Sequence, residues 1–459
     1  MASIGCWRCL VRPSQRLYFA PLFIAPSTST SAAFSTSAQQ WAEAPRHFRA
    51  GKRLILGKKK RPQERVKSPQ SGERKAFRKR IQLTNDNALE VPGLDAFSPE
   101  LAVNPDSVGK VVKLPDIIDQ LRACEAFKPT QNWNLFRSPH MLVRSETVEM
   151  VRQMTEAIKK KQALRLVITG NRGSGKSILG LQALATGFLK KWVVINIPEG
   201  QELTTAATEY APIPKSQMFS QPVYTVKLMQ TMAQTNHQVL SEQKVELDHM
   251  QLPITATRGT TLAGLLTATK EPDFAWPFFE AFLQEMLLPG RPPIVFCLDG
   301  LAHVMRVSEY RAPDFSLIHS YDLSLVRFFT DALGGKIEFP NGAAIIGITS
   351  RSNGRIIPSL EMAVAQQRAL LKGEVPPPRD PFYRGYDERV FETLDSIKLL
   401  DVQGVSRPEA RSVMEYWAAS GILRLRVDEK NVAEKWTMAG GGVLAEMERV
   451  ALYDIRAAQ

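Results

Sequence analysis

Eight consecutive residues, Gly170-Asn171-Arg172-Gly173-Ser174-Gly175-Lys176-Ser177, satisfy the pattern G-x-x-x-x-G-K-[ST] at every fixed position. The chemistry such a run performs is anion binding. Its glycines allow a tight turn whose backbone N–H groups point inward, and the helix that follows adds the positive end of its dipole. In that arrangement Lys176 is expected on the β/γ-phosphates of a nucleoside triphosphate, and the Ser177 hydroxyl on Mg²⁺. The contact set is expected to extend to Ile178, the first apolar position of the helix.

Two further positions could complete such a site. Ile294-Val295-Phe296-Cys297-Leu298-Asp299 is an apolar run ending in a carboxylate. Asp299 is expected to hold Mg²⁺, through a water or through the shell of Ser177. Thr349 follows the apolar run Ala343–Ile348. It reads equally well as a contact to the γ-phosphate or as a simple strand cap. Gly300 stands directly after Asp299, where hydrolytic ATPases with this pair of motifs usually carry a water-activating Glu. Without a base to orient the attacking water, hydrolysis should be slow even where binding is intact, so at most a weak NTPase is expected. No N-K-x-D sequence is present, so guanine and adenine are not distinguished by motif.

These residues need elements to position them. Leu164–Thr169 is a β-branched apolar run of the kind that forms a buried parallel strand, and Ile178, Leu181, Ala185 and Phe188 recur at helical spacing after the loop. Further strands are expected at 192–197, 294–299 and 343–348, and another at 397–402 is read as part of the C-terminal lid-like module. Strands separated by helices imply a parallel sheet with right-handed crossovers and the ligand at its carboxyl edge. Between Lys176 and Asp299 the chain is long for such a fold, so about 201–290 reads as a largely helical insertion. Phe274, Trp276, Phe278, Phe279 and Phe282 within it read as the core face of a helix. After the proline-rich stretch Val375–Pro381, the pair Ser406 and Glu409 forms a capping box for a helix that stops at Ser420-Gly421.

Composition bounds the rest. With 459 residues, 44% hydrophobic and 23% charged, the chain has room for two to three globular domains. The net charge of +13 is placed unevenly: residues 1–80 hold eighteen Lys and Arg against three Glu, and the remainder is near neutral. From Met1 to Gln40 there is no Asp or Glu, while Arg8, Arg12 and Arg16 alternate with apolar residues ahead of a Ser/Thr/Ala-rich stretch. That is the signature of a mitochondrial transit peptide. Arg46–Arg80 is dense in Lys and Arg and poor in apolar residues, so it reads as an extended arm along RNA phosphates, or else as a solvated linker. No apolar run approaches a membrane span. The four cysteines, Cys6, Cys9, Cys124 and Cys297, form neither a disulfide framework nor a zinc site.

Taken together these stretches resemble the death-associated protein family, the nucleotide-binding protein of the mitochondrial small ribosomal subunit. The resemblance rests on Gly170–Ser177, on Val295–Gly300 with Asp-Gly in place of Asp-Glu, on Trp133–Phe136 and Met141–Arg144, and on Val405–Ala410 ahead of Glu415-Tyr416-Trp417. It covers roughly Ala123 to the C-terminus. It implies an α/β fold: an AAA-like P-loop NTPase domain over 123–375 and a small C-terminal lid-like domain over 376–459. These follow a transit peptide over 1–40 and a basic extended arm and linker over 41–122. It also implies a bound purine nucleotide (GTP by the family's usual attribution, otherwise ATP or GDP) with Mg²⁺. The segment Phe136–Thr147 would line the base pocket. Small-subunit ribosomal RNA, other mitochondrial ribosomal proteins and bridges to the large subunit are the implied partners, and the family's link to apoptosis in animals is not tested by anything in this chain. An alternative from another class is a mitochondrial AAA-type ATPase that remodels a protein or nucleic acid. It would need a carboxylate elsewhere, such as Glu199, and an arginine finger from a neighbouring subunit. A small-molecule kinase has no acceptor signature here.

Overall fold

The computed structural model describes residues 81–453, apart from 215, 250–251, 253–258 and 351–355. The transit-peptide reading of 1–40 and the basic arm up to Arg80 lie outside the described residues. At the centre is a five-stranded parallel sheet. Its strands are β1 (Ala163–Gly170), β2 (Val193–Ile197), β3 (Ile294–Asp299), β4 (Ala343–Ile348) and β5 (Lys398–Val402), in the order β5-β1-β4-β3-β2. Thus β4 stands between the strand that leads into the phosphate loop and the strand that ends at Asp299. Register brings Ile348 opposite both Ile168 and Asp299, so the loop, Asp299 and Thr349 emerge at one edge.

Helices cover both faces, which is why the strands read as continuous apolar runs. Side-chain alternation divides them: Ile294, Phe296 and Leu298 join one core, while Val295 and Cys297 join the other. The second core receives α1 (Ser145–Lys159) and α2 (Lys176–Leu189). The first receives α3 (Pro222–Thr235), α4 (Ala275–Met286) and α5 (Ser324–Gly334). Phe278, Phe279 and Phe282 of α4 are fully buried in it, while Phe274 and Trp276 pack at its margin. A third core joins Phe136 and Leu142 to the last helices: α6 (Arg407–Ala419), α7 (Glu429–Met438) and α8 (Leu444–Leu452). The Ser406–Glu409 capping box opens α6, with the Glu409 carboxylate 2.8 Å from the Ser406 backbone N–H that donates to it.

Two sequence expectations are corrected by this arrangement. The strand at 398–402 belongs with the central sheet as its edge next to β1, although in sequence it follows the proline-rich stretch. Extended linker also does not continue to residue 122. From Leu83 onward the chain is folded, and Phe97, Ala102, Val112 and Leu121 are buried in the second core. Short pieces such as Pro99–Val103 and Val111–Lys113 provide too few turns or alternations to register as periodic.

A candidate nucleotide site at the sheet edge

The loop after β1 folds as its glycines permit. Gly170, Gly173 and Gly175 have φ of +143°, +76° and +100°, a region that side-chain-bearing residues rarely enter. Gly173 also allows a close approach, since an added Cβ would stand 2.8 Å from the Ala445 side chain of α8. The Ala445 N–H donates to the Gly173 carbonyl at 3.1 Å, so the C-terminal helix rests directly on the loop. Lys176, the first residue of α2, turns its ammonium back across the loop to the carbonyls of Gly170 and Asn171, at 2.9 and 2.6 Å. The Ser174 hydroxyl donates to the Asn171 carbonyl at 2.9 Å, which closes the turn.

Ser177 and Asp299 meet although 122 residues separate them: the hydroxyl donates to Asp299 Oδ2 at 2.7 Å. A carboxylate and a hydroxyl are both hard oxygen donors, the set that suits Mg²⁺. Thr349 directs its hydroxyl to the Ile168 carbonyl at 3.1 Å and lines the cavity beside the loop. Gly300 sits at φ +87°, and a Cβ there would lie 3.4 Å from the Gly200 backbone nitrogen. A glutamate at this position would be strained by that backbone conformation. Glu199 is exposed and does not line the cavity.

That cavity measures about 660 Å³, within the range that holds drug-sized ligands. Arg172, Gly173, Gly175, Lys176, Ser177 and Ile178 line one end, whereas Gly170, Asn171 and Ser174 supply the backbone of the turn behind them. The other end is aromatic, with Trp133, Phe136, His140, Tyr416 and Trp417 in its wall. His140 and Tyr416 have ring centroids 4.0 Å apart, and Phe136 meets the His140 ring edge-on at 4.4 Å. Burial lowers the His140 pKa to about 3, so the imidazole is neutral at physiological pH.

Several polar groups in this region were not singled out by sequence reasoning. Arg144 is buried between α1 and the loop, donating to the Ser174 carbonyl, the Gln403 carbonyl and the Glu146 carboxylate, each at 2.8 Å. Sequence had placed it only within a stretch carried by the resemblance. Gln131 accepts through Oε1 from the Lys128 N–H and the Trp133 indole, both at 2.7 Å, while its Nε2 is buried without a partner among the described residues. Glu448 on α8 accepts from the Asn132 amide at 2.9 Å, and burial raises its carboxyl pKa. Lys128 places its ammonium on Asp299 Oδ2 and donates to the Pro198 carbonyl at 3.1 Å. The only local signal at Lys128 is the Pro129 that opens a turn. Nothing in a linear pattern pairs it with residue 299.

A five-stranded parallel sheet flanked by helices, with a glycine-rich loop at its carboxyl edge, is an α/β fold consistent with the P-loop-like class. The family model of mitochondrial ribosomal death-associated protein 3 matches residues 141–450. The chain is 47% identical to small ribosomal subunit protein mS29 of Neurospora crassa, with both chains covered in full. It is 22% identical to small ribosomal subunit protein mS29 of Schizosaccharomyces pombe, over 78% of this chain and 74% of that one. The chain belongs to the mitochondrial ribosomal death-associated protein 3 family, as the resemblance in its motifs implied.

Proposed function

We propose that this chain is a structural constituent of the mitochondrial small ribosomal subunit that retains a purine nucleoside triphosphate, GTP in preference to ATP, as a stabilising cofactor. Family membership supports the ribosomal part and a mitochondrial location, with ribosomal RNA and ribosomal proteins as partners. No helix among the described residues is long and apolar enough to cross a membrane. The nucleotide part is carried by one observation: a cavity of about 660 Å³ with the glycine-rich loop at one end and an aromatic wall at the other.

The residues fit their expected tasks. Backbone amides of Gly173–Ser177 and the Lys176 ammonium would take the phosphates, and Ser177 with Asp299 would hold Mg²⁺. Bound there, the metal would neutralise charge on the β- and γ-phosphate oxygens. Trp133, Phe136 and Tyr416 would pack on the base. The Glu448 carboxylate in the cavity wall would accept from the N–H groups of a base, of which a guanine edge offers two side by side and an adenine edge one. The strand order and the helical cap over the loop support an AAA-like reading of the fold. Gly300 at φ +87°, where a glutamate would be strained, supports retention of the ligand rather than turnover, and so disfavours the remodelling ATPase.

Mass spectrometry of the ligand released by denaturing the native purified protein tests the proposal. Guanosine nucleotide at near one equivalent is expected, and protein free of any nucleotide would sink it. In a sedimentation gradient of mitochondrial extract the chain should travel with small subunits. Confinement to the light fractions would remove the ribosomal role.

A further inference from the structure

Asp299 Oδ2 carries two cationic or protic partners at once, the Ser177 hydroxyl and the Lys128 ammonium. We propose that Lys128 is a built-in counter-cation for Asp299, standing where a nucleotide-borne Mg²⁺ must bind, so that lysine and metal compete for one carboxylate oxygen. The inference rests on the nucleotide reading above and deepens it. Its consequence is that the protein grips nucleotide with little dependence on free divalent cation.

Lys128 is held in place for this. Its backbone N–H is tied to Gln131, its ammonium also donates to the Pro198 carbonyl, and the preceding Phe127 is buried with its ring 5.4 Å from Trp133. The Lys128 side chain is only 23% exposed and that of Asp299 only 7%. A pair so placed is little screened by water or salt, unlike an ordinary surface pair. The charges also explain why a resident cation is useful. A polyphosphate cradled at Lys176 lies next to Ser177, and Ser177 touches Asp299. With no cation on Asp299, its carboxylate would face the phosphates directly, and like charges a few ångströms apart at low dielectric repel strongly.

The test uses the purified full-length protein and fluorescent N-methylanthraniloyl derivatives of GTP and ATP, titrated in excess Mg²⁺ and again in EDTA. In the wild type, removing metal is expected to weaken binding by less than about tenfold, and in Lys128→Met by more than about a hundredfold, since nothing then offsets Asp299. In excess Mg²⁺ Lys128→Met should bind at least as tightly as the wild type, which also shows that the variant is folded. Lys128→Arg should keep the wild-type ratio. The double variant Lys128→Met with Asp299→Asn should bind equally with and without metal. Equal metal dependence in the wild type and Lys128→Met would overturn the role of Lys128 alone. Loss of binding by a folded Lys128→Met in excess Mg²⁺ would also overturn it, because the lysine would then be a phosphate ligand and not a competitor. Failure of the wild type to bind either probe in either condition would bring down the nucleotide reading itself.

Discussion

The two ends of the cavity are built in opposite ways. The glycine-rich end is local: eight consecutive residues fold on themselves, and Lys176 contacts carbonyls only five and six positions away. The aromatic end is assembled from afar, with Gln131–His140 on one side and Tyr416–Glu448 on the other, joined by the Asn132–Glu448 hydrogen bond across 316 residues. A local device is specified by backbone geometry and tolerates little variation. An assembled one is specified by packing, and it depends on the third core being formed.

That contrast can be broken by substitution. Trp133→Ala, at a buried position in the wall, should destabilise the protein by about 3–5 kcal/mol. The loss should be seen in thermal melts with or without nucleotide, because it is a packing effect. Lys176→Ala should cost about 2.7 kcal/mol at a nucleotide concentration a hundredfold above the wild-type dissociation constant, and little in its absence. Equal melting of wild type and variant in saturating nucleotide would contradict the phosphate-end role. Glu448→Gln should lower the preference for guanosine over adenosine nucleotide by about tenfold, read in competition titrations.

Acidity separates the ends further. The His140 pKa is depressed to about 3, so in the folded protein the ring resists a proton that the unfolded chain accepts near 6.5. The unfolded state therefore binds more protons between those values, and stability falls as pH drops through that window. His140→Phe should remove part of this acid sensitivity in melts at pH 4–6, the remainder coming from groups such as His303, whose pKa burial also lowers. The smallest effect is expected at Thr349→Ala, about 1 kcal/mol or less in stability. A large loss of nucleotide affinity there would instead assign the hydroxyl to the phosphates.

Legibility in the sequence follows the same division. The strands at 294–299 and 343–348 were readable to the residue, because buried parallel strands are unbroken apolar runs. The turn at Gly170–Ser177 was readable because it is contiguous backbone with glycines at the positions of positive φ. Lys128 and Glu448 were not, since each is paired with a neighbour that only tertiary packing supplies. Arg144 shows why: its three partners, Glu146, Ser174 and Gln403, come from three separate parts of the chain. The folded stretch 81–122 was missed for a related reason. Its buried residues are spaced by the surface they dock on, not by a period of their own.

The seating of Ala445 on Gly173 links the end of the chain to a turn laid down much earlier in synthesis. A nascent polypeptide emerges with that turn uncovered, and the cover arrives only once residue 445 has been translated. A chain terminated before residue 444 would leave the turn open on that side.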